Sequence, residues 1–353
     1  MSLISSMGWK TQRCAVLCVL ALSACARVPE TLVLSGPTMG TMYTVRWIAE
    51  GHTPAAFTLR RDIDAELTRV DTQMSRYRPD SELSRFNESR STAERAASPE
   101  FAQLLSESMA LNAVSGGAFD VTVAPLVDAW GFGPRGEVAD APTPHELQQL
   151  LERRGGNQLH VELSPPRVRK LRPDVEVDLN AIAPGHAVDR IGALLERRGV
   201  RNYLVDIGGE IRVSGHNGND EPWRIAIDDP RHEEQVPYSA VELSGGAVST
   251  SGGYRHFRIL DGQRYSHLID LRSGYPASLA TAAVIVIAPT AAQADGWSTA
   301  LFVLGEKEGL ALAARRHLAV LFLLFDGQGL REHASPAFEP YRAQANTRQQ
   351  NAS

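Results

Sequence analysis

Apolar residues along this chain keep two rhythms. Phe57, Leu59, Ile63, Leu67, Val70 and Met74 recur three or four positions apart, which predicts an amphipathic helix over 56–76. A second helix opens at Ser98-Pro99-Glu100, with Ser98 as N-cap and Pro99 in the first position, where a missing N–H costs nothing, and closes at Gly116-Gly117. A third, around 144–154, starts the same way at Thr143-Pro144. Elsewhere, and more densely in the second half, apolar residues come in short runs. TLVLSG and TMYTVRW, within 31–48, predict an extended pair around a turn at Gly36-Pro37. NYLVDI, EIRVSG and WRIAID read as strands, and RHFRIL and RYSHLID as a hairpin through Asp261-Gly262. AAVIVIA at 282–288 reads as a buried strand. A helix from about Ala292 to Leu304, another helix and the strand LAVLFLLF follow. No internal repeat and no Pro/Gly/Ser-rich linker breaks this alternation, which predicts one continuous α/β domain of the mixed α+β kind over 25–340. A polar tail over 341–353 has almost nothing apolar with which to fold.

Composition narrows the class. Of 353 residues, 43% are hydrophobic and 22% charged, the balance of an ordinary globular protein. The formal charge of −5, with acids and bases scattered, offers no basic stripe for a nucleic-acid backbone. All three cysteines fall within the first 25 residues, so no disulfide supports the remainder. Lys10 and Arg13 precede an apolar run from Cys14 to Ala24, the order of a secretory signal and too short to span a bilayer. Its end, Leu22-Ser23-Ala24-Cys25, resembles the bacterial lipoprotein box, in which the cysteine becomes the lipidated first residue. The expectation is an exported lipoprotein with a signal peptide over 1–24, facing the periplasm and held on a membrane through Cys25. Ala26, in a place where aspartate would mark retention, favours the outer membrane. A plain signal peptide with a coincidental cysteine is the alternative.

Several segments carry chemistry. Asp295 and Thr299 sit four apart at a helix start, so they share a face and can offer a carboxylate and a hydroxyl to one hard cation; equally, Asp295 can cap its own first turn. In VDLNAIAPGHAVD, Pro184 predicts a helix start that leaves the carbonyls of 180–183 outside the ladder. Asp178 and the Ala181 carbonyl are then within reach of a cation or ligand, and the helix N-terminus near Gly185 suits an anion. His267, in SHLID at a strand end, is placed for proton transfer or is a surface histidine. DIGGE and STSGG let backbone approach a ligand closely. Phe119, Asp120 and Trp130, in a Gly-bounded apolar stretch, suit an aromatic ring or a core.

Taken in order, GPTMGTMYTVRW, MSRYRPDSELSRFN, GAFDVTVAPLVDAWGFG, VDLNAIAPGHAVD, LVDIGGEIRVSG, WRIAIDDP, AVSTSGGYRHF, YSHLIDLRSGYP and VIAPTAAQADGWSTALFVLG resemble the ApbE family, the FAD:protein FMN transferases. The resemblance spans Met39 to about Leu304. It implies a single ApbE-like domain with mixed sheets and flanking helices. It also implies a magnesium-dependent reaction that moves FMN from FAD to a threonine or serine hydroxyl of a partner protein, with AMP leaving. By resemblance, Met39, Tyr77, Ala118, Phe119, Asp120, Asp178 and Ile269 fall where the family binds FAD. The Ala181 carbonyl, Asp295 and Thr299 fall on metal positions, and His267 on the histidine that assists the acceptor hydroxyl. Acceptors implied are exported or membrane redox proteins. Pro184 and His186 depart from the family's Lys or Glu followed by Gly and Tyr, removing a charged contact to the cofactor at 184. Two rival expectations share these residues: an FAD pyrophosphatase with water as acceptor, and a lipid-anchored protein that binds FAD without turnover.

Overall fold

Eight strands form the central sheet of the computed structural model, which describes residues 30–50, 54–232, 234–254, 256–327 and 329–343. The leader, Cys25 and the tail beyond 343 lie outside the described residues. Across the sheet the order is Thr31–Thr38, Thr41–Ile48, Tyr203–Ile207, Glu210–Ser214, Gly245–Gly252, Thr281–Ala288, Ala319–Phe325, Leu330–Ala334, and every ladder is antiparallel. Seven helices accompany it: α1 (Ala56–Met74), α2 (Glu82–Glu88), α3 (Pro99–Val114), α4 (Ala124–Ala129), α5 (Pro144–Leu151), α6 (Ala183–Arg197) and α7 (Ala291–Arg316). The class is mixed α/β, with smaller sheets beside the large one.

Period-2 alternation decides what lies on each sheet face. Tyr43, Val45, Trp47, Tyr203, Val205 and Ile207 pack with the stripe Leu59, Ile63, Leu67 and Val70 of α1 and with Ile191 and Leu195 of α6. On the opposite face, Ala283, Ile285 and Ile287 meet Trp223, Ile225 and Val241 of the hairpin Trp223–Asp228/Pro237–Leu243. Val284 and Val286 meet Phe302 and Leu312 of α7. Both faces of Thr281–Ala288 are therefore covered, which is why that stretch has no polar alternation.

The helix signals hold to within a turn. Ser98 caps α3 by accepting from the Phe101 N–H, and Thr143 with Glu146 forms a capping box on α5, which ends at Leu151, short of 154. Several expectations are corrected. The first hairpin turns at Met39-Gly40, both at positive φ, and not at Gly36-Pro37, which continue the ladder. Phe57 lies on the outer side of α1, 79% exposed. The helix expected from about Ala292 to Leu304 and the one after it join as α7 through a break at Gly305 (φ 72°, ψ 179°). RYSHLID is not one strand: its ladder with Phe257–Leu260 ends at Ser266, and Ile269-Asp270 pair instead with Tyr275-Pro276. Gly245–Gly252, with no large side chain to mark it, is a central strand. At the C-terminus, Arg342 bridges to Val241 and the Ala343 N–H bonds to the Ala240 carbonyl at 3.0 Å, so 341–343 belong to the packed chain.

Candidate functional site

Two helix starts meet beneath the sheet, and three of their N–H groups are satisfied across the pair, in addition to the local Thr290 cap of α7. Asp189 of α6 accepts from the Ala291 and Ala292 N–H groups at 2.9 Å each, capping α7, which has no acid in its own first turn. Gly185 of α6 gives its N–H to Asp295 Oδ2 at 3.1 Å. A Cβ at 185 would fall 2.4 Å from the Ala291 carbonyl oxygen, so glycine is what lets the two helices close. The anion expected at this helix N-terminus is thus the protein's own carboxylate. Ile182 is the N-cap, which puts Pro184 one position later than its sequence suggests.

A regular helix would pair the Gly185 N–H with the Ala181 carbonyl. Because Asp295 takes it, the Ala181 oxygen accepts no hydrogen bond among the described residues. Asp295 is buried at 5% exposure; its second oxygen also lacks a donor among the described residues, and burial pushes its pKa up to about 7. Glu210 is raised well above its ordinary value by burial and by the Asp295 charge. Thr299 stands one turn beyond Asp295, its hydroxyl 3.3 Å from Ser251 Oγ, which in turn lies 2.8 Å from Ser298 Oγ. An underused carboxylate, a donorless carbonyl and a hydroxyl form an all-oxygen set of the kind hard divalent cations take. The residues present therefore fit magnesium.

Thr299 and Ala181 form part of the wall of a cavity of about 270 Å³, together with Tyr77, Ala118, Phe119, Asp120, Asp178, His267 and Ile269; Asp295 is not on that wall. Met39 lies instead in an adjoining cleft of about 1120 Å³, with Tyr77, Asn180 and His256 shared between the two spaces. Of the residues in the described chain that the family resemblance points to, all but Asp295 line one of these two spaces. Trp130, considered for the same role, does not: it is buried against Tyr265 and Tyr275, and its indole N–H donates to the Gly274 carbonyl at 2.9 Å.

The polar residues of the smaller cavity are individually held. Asp120 Oδ1 accepts from the Thr122 N–H and hydroxyl at 2.8 and 2.7 Å, and burial raises its pKa despite them. Asp178 Oδ1 accepts from the Asn180 N–H and Oδ2 from Arg76, each at 2.8 Å, and the same guanidinium reaches Asp128 at 2.9 Å. Arg76 and Asp128 are both buried. Tyr77 projects into the open, 60% exposed.

His267 faces the same space from the hairpin. Its Nδ1 lies 3.0 Å from the His256 carbonyl, which can only accept, so Nδ1 carries the proton and Nε2 is left as a bare acceptor. Burial first, then the neighbouring His256, lowers its pKa to about 4. The His256 ring packs on it edge to face at 5.4 Å.

Four contributors escaped the sequence reading. Asn180 and His256 line both spaces, Arg76 fixes Asp178, and Ser251 hydrogen-bonds Thr299. All four lie in segments quoted for the family resemblance, but no role was assigned to any of them.

The ApbE family profile matches residues 39–322. The FAD:protein FMN transferase of Vibrio cholerae is 39% identical over 327 residues, covering 93% of this chain and 97% of that protein. That of Salmonella typhimurium is 37% identical over 340 residues, covering 93% and 97%. The solved structure of the Vibrio cholerae flavin transferase ApbE superposes with a TM-score of 0.82 at 40% identity, over 89% of this chain and 99% of that one. The apo Pseudomonas stutzeri flavinyl transferase ApbE gives 0.82 at 38% identity, over 90% and 98%. Profile, relatives and fold agree along nearly the same stretch of sequence, and the chain belongs to the ApbE family.

Proposed function

We propose that this chain is an FAD:protein FMN transferase that moves FMN from FAD to a threonine or serine hydroxyl of an acceptor protein and releases AMP. The reading rests on one observation above all: an imidazole with a free Nε2 shares a cavity with Ala181 and Thr299, two of the three oxygen donors of the cation set. The smaller cavity, with Phe119, Val121, Val123, Val127 and Phe132, suits the adenosine half of FAD. The open cleft, with Met39 and the exposed Tyr77 ring, suits the flavin half and leaves it in reach of another polypeptide. The pyrophosphate then falls near Asn180 and His256, where the two spaces join.

In the step itself, the acceptor hydroxyl oxygen forms a bond to the FMN phosphorus while the pyrophosphate bridge breaks and AMP departs with the bridging oxygen. His267 Nε2 takes the hydroxyl proton, and the His256 carbonyl holds the imidazole in the tautomer that can accept it. Asp295, the Thr299 hydroxyl and the Ala181 carbonyl would hold magnesium, which supplies neutralisation of charge at the pyrophosphate. Because Asp295 is already tied to Gly185, its free oxygen is aimed before any ligand arrives. We further infer that the acceptors are exported or membrane redox proteins, met by an enzyme held on the membrane through lipid on Cys25; the leader order of Lys10, Arg13 and LSAC supports this. A Cys25→Ser form is expected to leave the membrane fraction.

Incubation with FAD, magnesium and an acceptor should give flavin fluorescence that persists on that acceptor in a denaturing gel, and chelation should abolish it. AMP release without labelled acceptor would identify a pyrophosphatase, and neither product a binding protein.

A further inference from the structure

The hairpin that carries His267 has two faces, and only one is used by the site described above. Residues alternate along it. His256 and His267 line the site, Arg258 lies over the Phe132 ring at 5.6 Å, and Tyr265 packs on Trp130. Phe257 and Arg264 face the other way. They line a separate cavity of about 690 Å³, together with Tyr254, Arg231, His232, Leu279 and Phe325.

This second cavity has a defined chemistry. Its aromatic surface is Tyr254, Phe257 and Phe325, the last 41% exposed, and Ile259 continues the same hairpin face at 67% exposure. Its charged lining among the described residues is cationic, Arg231 and Arg264, and contains no carboxylate. Arg231 is tied to Asp229, which stands outside the lining. Arg264 lies 3.5 Å above the Phe257 ring and donates to the Tyr254 carbonyl at 2.8 Å, so its charge is held on the cavity wall. None of this is needed by FAD, whose site lies across the hairpin. A transferase must nevertheless hold a second, macromolecular substrate beside its base.

We propose that this cavity docks the flavin-accepting polypeptide through an acidic segment that also carries an apolar or aromatic side chain. The proposal rests on the transferase reading. Carboxylates of the acceptor meet Arg231 and Arg264, its apolar side chain lies on Phe257 and Phe325, and the chain continues around the hairpin to bring its hydroxyl to His267. A single hairpin separates the docking residues from the base: Phe257 and Ser266 are paired across its ladder, and His267 follows directly.

Two synthetic peptides test this, of equal length and with one threonine each, one with two aspartates and a phenylalanine upstream, the other with lysines in place of the aspartates. The acidic peptide should be labelled with the lower KM, and Arg264→Glu should raise that KM about tenfold while FAD affinity stays within about twofold. Phe325→Asp, at the rim and outside the hairpin, should do the same without disturbing the histidines. Equal KM for both peptides, or no change in either variant while the unmodified enzyme labels them, would overturn the docking site alone. If the unmodified enzyme releases AMP yet labels neither peptide nor any protein acceptor, the transferase reading falls, and the docking site with it.

Discussion

Ala181 and Thr299 of the cation set share a cavity with the base, but set and base are built in opposite ways. The cation set is a backbone construction. Gly185, Asp189 and Asp295 lock two helix starts separated by about a hundred residues of sequence, and the Ala181 carbonyl just ahead of one of them is left without a donor among the described residues. The base hangs from a two-stranded ribbon outside the main sheet and is oriented by one carbonyl. Burial acts on both with opposite results: it raises the Asp295 carboxyl to about 7 and lowers the His267 imidazole to about 4. One mechanism thus yields an acid that favours a cation's company and a base that stays unprotonated.

That contrast is open to attack from either side. The largest effect is expected at the base. His267→Ala should lower the transfer rate at saturating FAD by about 10²–10⁴-fold and leave FAD affinity within a few-fold. Collapse of affinity with a surviving rate would make His267 a binding residue. On the cation side, Asp295→Asn retains an oxygen for the Gly185 N–H but loses the charge. It should cost about 10²–10³-fold in magnesium-dependent turnover with unfolding unchanged or shifted upward, because a buried charge is removed. Full activity in a folded Asp295→Asn protein would dismiss the ligand assignment.

Gly185→Ala probes the lock between the helices. With a Cβ 2.4 Å from the Ala291 oxygen, it should lower stability by about 1–3 kcal/mol and raise the magnesium concentration needed for half-maximal turnover. A thermal melt and a metal titration read the two effects separately. The smallest effect is in the pH profile. His267 loses its proton near about 4 in the folded protein and near 6.5 when free, so unfolded chains bind the extra proton between those values. Its contribution to stability is complete above about 6.5 and is lost as pH falls toward about 4. At saturating magnesium, which keeps Asp295 ionised, the acid limb of transfer should likewise sit near 4, and a limb at 6.5 that persists there would put the base on another group.

How much of this was legible follows from the same contrast. Signals that act within one turn were readable: the Ser98 and Thr143 caps, the α1 stripe and the Asp261-Gly262 turn, whose two residues take positive φ. Gly245–Gly252 was not, because its small residues become a strand only through ladders to Glu210–Ser214 and Thr281–Ala288. The Gly36-Pro37 turn was misplaced since Met39, an unexpected residue at positive φ, takes the corner. At the site, the family resemblance supplied the residues, while spacing alone left Asp295 open between capping and metal binding. The structure shows why: it is α6, not its own helix, whose N–H the carboxylate accepts. Arg76 had no local signature because its partners, Asp128 and Asp178, lie 52 and 102 residues along the chain.

The ribbon of Phe257–Leu260 and Gln263–Ser266 has one further consequence, for time instead of geometry. Among the described residues its strands form a backbone ladder only with each other, whereas Thr281–Ala288 is paired on both edges deep in the sheet. Two-stranded ribbons open at lower free energy than sheet interiors, so its amide protons should exchange with solvent sooner than those of the central strand. The clock of the reaction is then divided: the cation end keeps its arrangement through many turnovers, while the wall bearing His267 can relax between them, on the side from which a bulky product must leave.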